Sequence, residues 1–115
     1  MIIDCNAYAG VCACGKTHRI DTRRVLIEAG CLQAFANAAD ELGLLRPIAA
    51  VYDENTYRAV SLSRPRVDQE IVLPTGGLQA NERCVADALG RLGAQTRTLV
   101  AVGAGTVHDI ARLCA

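Results

Sequence analysis

Residues 99–109 read Leu-Val-Ala-Val-Gly-Ala-Gly-Thr-Val-His-Asp, and they are the clearest indication of the fold class. Its first four residues are apolar without alternation, which is typical of a strand buried on both faces. Residues 103–105 are small and turn the chain, and the pattern from Val107 to the C-terminus is helical. The stretch therefore predicts a buried strand that turns directly into a helix.

The same succession of apolar run, turn and helix occurs twice earlier in the chain. Residues 48–52 are apolar and end at Asp53, which is suited to cap a helix over 54–62. Residues 71–73 form the second apolar run, and a third helix follows it, with one apolar face made of Cys84, Val85, Ala88, Leu89 and Leu92. A further helix is predicted ahead of them over 31–42, with Gly43 as its left-handed C-terminal cap.

Strands that are apolar on both faces and separated by helices belong to parallel sheets. The chain is therefore predicted to be α/β, with a Rossmann-like parallel sheet flanked by helices. Ligands bind beyond the carboxyl ends of such strands, so Asp53, Pro74 and Gly103 should line one crevice.

The N-terminal part has a different character. Residues 1–17 show no clear period and predict an irregular lead-in, whereas 18–22 and 24–28 predict two extended pieces. We expect an N-terminal extension that resembles a β-hairpin, and a ligand-binding domain over 18–115.

Composition excludes several classes of protein. With 115 residues, of which 51% are hydrophobic, the chain suits one α/β-type domain. Its formal net charge is zero and only 3% of its residues are aromatic, so we expect no nucleic-acid partner. No apolar run reaches the roughly 18 to 20 residues of a membrane span, and Asp4 argues against a secretory signal. We expect a cytoplasmic protein.

The glycines after the last apolar run suit phosphate binding. Gly103 and Gly105 let backbone amides approach a phosphate without an intervening side chain, and the helix N-terminus adds a partial positive charge. Tight strand-to-helix turns also need glycine for steric reasons in proteins that bind nothing. The motif alone leaves both interpretations open.

Residues 103–109 resemble the Gly-Gly-Gly/Ser-x-x-x-Asp signature of the superfamily of iron-containing alcohol dehydrogenases, glycerol dehydrogenases and dehydroquinate synthases. Two further stretches are similar to its sn-glycerol-1-phosphate dehydrogenase branch. They are Cys-Ala-Cys-Gly-Lys-Thr-His at 12–18 and Val-Tyr-Asp-Glu-Asn-Thr-Tyr at 51–57. The similarity covers nearly the whole chain.

The resemblance implies a nicotinamide dinucleotide, NAD or NADP, as cofactor. In the superfamily the glycine turn holds the pyrophosphate, which assigns that role to Gly103, Ala104, Gly105 and Thr106. Ala104 departs from the commonest triple-glycine form, and its methyl group could crowd a phosphate, although the glycerol-1-phosphate branch often has a small non-glycine residue at this position.

Two acidic residues also match superfamily positions. Asp53 stands where an acid binds the adenine ribose and favours NAD by charge repulsion, and its alternative role is that of a helix N-cap. Asp109 matches the signature aspartate near the nicotinamide, and its alternative role is that of a first-turn acid stabilising the helix dipole.

The resemblance also implies chemistry that these residues do not carry. Relatives hold a divalent metal (zinc, iron or nickel) with an aspartate and two histidines of a helical C-terminal half, and interconvert dihydroxyacetone phosphate and glycerol 1-phosphate, a small phosphorylated polyol. That metal-binding domain is absent here, and both histidines, His18 and His108, precede the expected ligand region. We assign no catalytic residue and no metal ligand, and expect nucleotide binding without turnover.

Two alternatives remain. Cys5, Cys12, Cys14 and His18 offer four soft ligands for a small zinc-stabilised binding domain. The other three cysteines, Cys31, Cys84 and Cys114, lie in apolar periodic segments typical of buried free thiols. The second alternative is a self-associating module without enzymatic role, a homo-oligomer that covers the apolar surface left by a missing partner domain.

Overall fold

The computed structural model describes residues 1–115, which divide into two compact units, Met1–Cys31 and Leu32–Ala115. The first unit contains four short strands, β1 (Ile2–Ile3), β2 (Gly10–Val11), β3 (Thr17–His18) and β4 (Val25–Leu26), and a 3₁₀ helix over Cys5–Tyr8. Strand β1 pairs with β4, and β2 pairs with β3 in an antiparallel hairpin. An antiparallel N-terminal extension is thus confirmed, but its strands pair differently from the expectation. The pieces predicted over 18–22 and 24–28 reduce to β3 and β4, and each pairs with a short strand of the predicted irregular lead-in.

The second unit contains the predicted sheet. Its elements are α1 (Phe35–Glu41), β5 (Ile48–Asp53), α2 (Glu54–Ala59), β6 (Gln69–Leu73), α3 (Glu82–Arg91), β7 (Thr98–Val102) and α4 (Gly105–Cys114). The three strands are parallel in the order β6-β5-β7, and helices flank them. The predicted α/β class is therefore confirmed.

Strand β5 is buried along its whole length because it is the central strand and both of its faces are covered. Val51 packs with Ile71 and with residues of α3 and α4, including Ile110. On the opposite face Tyr52 packs with Val102, with Tyr57 of α2 and with Val60, which follows α2. Burial on both faces explains why the sequence of β5 shows no polar alternation before Asp53.

Tyr52 carries a polar atom into this interior. Its hydroxyl group is buried and has no hydrogen-bond partner, and its ring meets that of Tyr57 edge-on, with centroids 5.3 Å apart. Burial raises the pKa of Tyr52 to about 12, since a phenolate is poorly solvated there.

Helix bounds differ from the predicted ones for local reasons. Residues 31–34 form turns, so α1 begins at Phe35 instead of residue 31. It ends as predicted, with Gly43 at φ +64° and the amide of Leu44 bonded to Ala39 O. Helix α2 stops at Ala59 because the amides of Ser61 and Ser63 bond three residues back. None of the four α-helices has the length and apolar content needed to cross a membrane.

The strand order reverses the direction of the chain across the sheet. From β5 the chain crosses through α2 to β6 on one side, and then through α3 to β7 on the other side of β5. The carboxyl ends of β5 and β7 flank this reversal, and open α/β sheets bind ligands at such a position. Asp53 is the last residue of β5, and Gly103 is the first residue after β7.

Candidate functional site

The backbone at Gly103 passes directly beside the Asp53 side chain. A Cβ atom at position 103 would lie 3.3 Å from Asp53 Oδ2 and 3.1 Å from Thr56 Oγ1. The φ angle of Gly103 is +155°, a conformation that L side chains rarely adopt. Both steric space and backbone conformation therefore require glycine here, and the turn after β7 lies against the N-terminus of α2.

Asp53 caps helix α2. Only 8% of the residue is exposed, and its carboxylate accepts hydrogen bonds from the backbone N–H of Thr56 at 2.8 Å and from the Thr56 hydroxyl at 3.0 Å. The N-cap role considered for Asp53 is thus confirmed. These two hydrogen bonds also hold the carboxylate beside Gly103.

The N-terminus of α4 is open. Gly103, Ala104 and Gly105 are exposed, Thr106 is half-buried, and Ala104 occupies the N-cap position with no side-chain cap hydrogen bond. A helix N-terminus without a cap leaves amide donors and a partial positive charge toward solvent. This arrangement can accept an anion such as a phosphate without moving a side chain.

Asp109 lies farther along α4 than expected. Because α4 begins at Gly105, two residues before the predicted start, Asp109 is outside the first turn, which holds no acidic residue. The alternative role of Asp109 as a first-turn acid is therefore wrong. Asp109 and His108 are both exposed.

Pro74 lines a different part of this sheet edge. It follows β6 and borders a cavity of about 330 Å³ with Gly77 and Arg83 among the lining residues, whereas neither Asp53 nor Gly103 lines that cavity. The structure thus places Asp53 and Gly103 in contact, whereas Pro74 lines a separate cavity, so the three residues do not share the single crevice that was expected.

A contact that the sequence analysis missed closes the loop after β6. Glu54 accepts hydrogen bonds from the Thr75 hydroxyl at 3.0 Å and from the Thr75 amide at 3.2 Å. These bonds favour the charged carboxylate and lower the pKa of Glu54. The spacing of Asp53 and Thr56 does signal an N-cap, but no local pattern joins Glu54 to a residue 21 positions away.

Nearly the whole chain is similar to part of a dehydrogenase. The glycerol-1-phosphate dehydrogenase [NAD(P)+] of Bacillus licheniformis is 29% identical over 116 aligned positions, which cover 92% of this chain and 29% of that protein. The chain thus spans less than a third of this relative's length. No protein-family model matches the chain, and no solved structure matches it either.

The first unit contains a second cluster of chemically reactive side chains. Ligand atoms of Cys12, Cys14 and His18 all lie within 4.8 Å of one another, and Cys14 Sγ is 3.2 Å from His18 Nε2. Hydrogen bonds from the backbone and the thiol of Cys14 lower the pKa of Cys12. Cys5 is outside the cluster, because it is buried and its sulfur lies 3.9 Å from Ile3 O.

All six cysteines are free. Of the three expected to be buried thiols, Cys84 is buried and Cys31 and Cys114 are half-buried. The four residues considered for zinc therefore reduce to the three that the structure brings together.

Proposed function

We propose that the chain binds the nicotinamide dinucleotide of an NAD(P)-dependent dehydrogenase at the carboxyl ends of β5 and β7. One observation carries the proposal. The uncapped, exposed N-terminus of α4 is entered through Gly103 beside the buried carboxylate of Asp53, at the point where the strand order reverses. Support also comes from the relative, whose name states that it uses NAD(P)+.

In this proposal the amides of Gly105 and Thr106 bind the pyrophosphate, since two negative charges at a helix N-terminus need no side-chain donor. Ala104 is exposed and adds one methyl group to the turn. Asp53 binds a ribose hydroxyl with the lone pairs that its two hydrogen bonds to Thr56 leave free. The resemblance assigns Asp109, an exposed residue of α4, to the nicotinamide end of the cofactor.

We propose further that the predicted domain over 18–115 is the nucleotide-binding part of a metal-dependent enzyme that interconverts dihydroxyacetone phosphate and glycerol 1-phosphate. The residues present do not fit the aspartate and two histidines expected for that metal. His108 is exposed on α4, and His18 lies beside two thiols. We expect these 115 residues alone to bind nucleotide without turnover, which a coupled dehydrogenase assay with added divalent metal tests.

Calorimetric titration of the chain with NAD and NADP tests the binding proposal. The decisive variant is Gly105→Ala. A Cβ at Gly105 meets no atom within 4 Å, so the variant folds and gains about 0.5–1 kcal/mol, because alanine favours a helix. The new methyl group lies at the N-terminus of α4, where the pyrophosphate is proposed to bind. We therefore expect NAD to bind at least about tenfold more weakly, equivalent to about 1.4 kcal/mol.

Gly90→Ala is the matched control. Gly90 is an exposed residue of α3 with equally open space, so the substitution brings the same stabilisation without any effect on nucleotide. Equal affinities of the two variants, or no NAD binding by the unmodified chain, would refute the proposed site.

Asp53→Asn tests the preference for NAD. Asparagine caps helices as well as aspartate does, so stability stays within about 0.5 kcal/mol while the charge is lost. We expect the affinity for NADP to rise relative to that for NAD, since the repulsion of the 2′-phosphate is removed. An unchanged ratio of the two dissociation constants would assign Asp53 to helix capping alone.

A further inference from the structure

Three potential metal ligands converge on the hairpin of the first unit, and none of them is assigned to nucleotide binding. We propose that Cys12, Cys14 and His18 form a zinc site, with two thiolate ligands and one imidazole ligand. Thiolate and imidazole are the ligands that structural and catalytic zinc sites use. None of the three residues is buried, so an ion reaches them without unfolding the chain.

The spacing of the ligand atoms suits zinc. Tetrahedral coordination with the usual Zn–S and Zn–N bond lengths places neighbouring ligand atoms about 3.5–3.8 Å apart. The three atoms lie within 4.8 Å of one another, and the Cys14–His18 pair is 3.2 Å apart. Rotamer adjustments of well under 2 Å, roughly the scale of side-chain motion, bring all three to one ion.

The backbone of the hairpin holds these residues in place. The amide of Cys12 donates to Lys16 O at 2.9 Å, and that of Gly15 donates to Cys12 O at 3.0 Å, so the turn that contains Cys14 is closed. Gly15 has φ +81°, which requires glycine. Strand β3 then pairs with β2 and returns His18 beside Cys14.

Three protein ligands leave one position of a tetrahedral ion open, and water fills it. Cys5 does not supply the fourth ligand, because its buried sulfur is directed to Ile3 O. Binding releases one proton from each of the two thiols, while the neutral imidazole binds through a ring nitrogen. Two thiolates balance the charge of Zn²⁺, so the bound site is neutral.

The test uses the purified 115-residue chain, kept under reductant, loaded with Zn²⁺ and dialysed against metal-free buffer. We expect elemental analysis to find one zinc per chain. Replacement of zinc by Co²⁺ should give a thiolate-to-cobalt charge-transfer band. Cys12→Ser, Cys14→Ser and His18→Gln should each reduce retained zinc at least about tenfold, by loss of a direct ligand. Cys31→Ser and His108→Gln are matched controls that retain it.

A measurement on the unmodified chain covers the case in which a variant fails to fold. Bound zinc should protect Cys12 and Cys14 from alkylation by iodoacetamide, and a chelator should restore their reactivity, as read by mass spectrometry of peptides. The proposal is overturned by a chain that retains no zinc, by cobalt without a thiolate band, or by a Cys12–Cys14 disulfide that persists under the reductant. None of these outcomes depends on nucleotide binding.

Discussion

The loops after β6 and β7 leave the same edge of one sheet and both contain glycines, yet they differ in how their polar groups are used. In the loop after β6, Thr75 is bonded to Glu54, Arg83 donates to Gly77 O at 3.3 Å, and Asn81 caps α3 through the amide of Cys84. The turn after β7 has no side-chain cap and exposes its small residues. Glycine content alone therefore does not identify a binding turn.

The difference shows where a ligand would replace a missing interaction. Helices α2 and α3 receive a side-chain oxygen at their N-termini from Asp53 and Asn81. Helix α4 receives none, although Ala104 has the extended conformation of an N-cap residue, with φ −72° and ψ 172°. An anion at α4 would supply the acceptors that the chain's own side chains supply at the other two helices.

The largest effect is expected from Gly103→Ala, compared with Gly76→Ala. At position 103 the new Cβ meets Thr56 and Val107 at 3.1 Å, and the backbone is strained for alanine, so we expect a loss of about 2 kcal/mol or more in the free energy of unfolding. At Gly76 the Cβ meets open space, and the change should stay within about 0.5 kcal/mol. Urea unfolding of both variants measures the difference, and equal losses would contradict the close approach at Gly103.

Ala104→Asp is expected to have a smaller effect on stability. It should stabilise the chain but weaken the binding of NAD. The new carboxylate caps α4 and stabilises the chain by about 0.5–1 kcal/mol. The turn after β7 then has a side-chain cap, as the loop after β6 does. The carboxylate also occupies the anion site with a negative charge, so NAD binding should be lost in calorimetry.

Ala104→Ser is the neutral control, because it adds a cap without a charge. We expect it to stabilise the chain and to weaken NAD binding less than Ala104→Asp does. Unchanged NAD affinity in the aspartate variant would place the phosphate elsewhere.

The smallest effect concerns pH and the closed loop. The folded-state pKa of Glu54 is lower than its ordinary value of about 4.3, so its stabilising contribution is complete above that value and is lost as pH falls through the lowered pKa. Glu54→Gln removes this dependence, so its unfolding free energy should fall less than that of the unmodified chain between about pH 6 and pH 3. Thr75→Val removes one hydrogen-bond donor to Glu54, so its unfolding free energy should decrease by an intermediate amount over the same pH range. Equal decreases in all three proteins would exclude the Glu54–Thr75 contact.

Most of the fold was predictable from local patterns. The three apolar runs predict the parallel strands, although only the central strand β5 is buried along its whole length and the outer strands β6 and β7 are partly exposed. Gly43 and Asp53 mark helix ends through their own backbone chemistry. Helix starts were less predictable. Residues 31–34 have apolar spacing but form turns, and Gly105 joins α4 although glycine is a poor helix former.

The candidate site was predictable only in part. Asp53 and Gly103 follow strands, so a parallel sheet brings them to one edge, and the structure places them side by side. The Glu54–Thr75 contact and the exclusion of Cys5 from the thiol cluster depend on three-dimensional positions that no spacing in the sequence encodes. The cofactor roles of Asp53, Gly103, Ala104, Gly105, Thr106 and Asp109 remain predictions.

Amide chemical shifts during NAD titration test the open turn most directly. In ¹H–¹⁵N spectra of the labelled chain, we expect the amides of Gly105 and Thr106 to shift strongly and to saturate, while those of Gly76 and Gly77 stay nearly unchanged. Shifts centred on Gly76 and Gly77, or no saturable shift at residues 103–106, would contradict the proposal that the turn after β7 binds the dinucleotide.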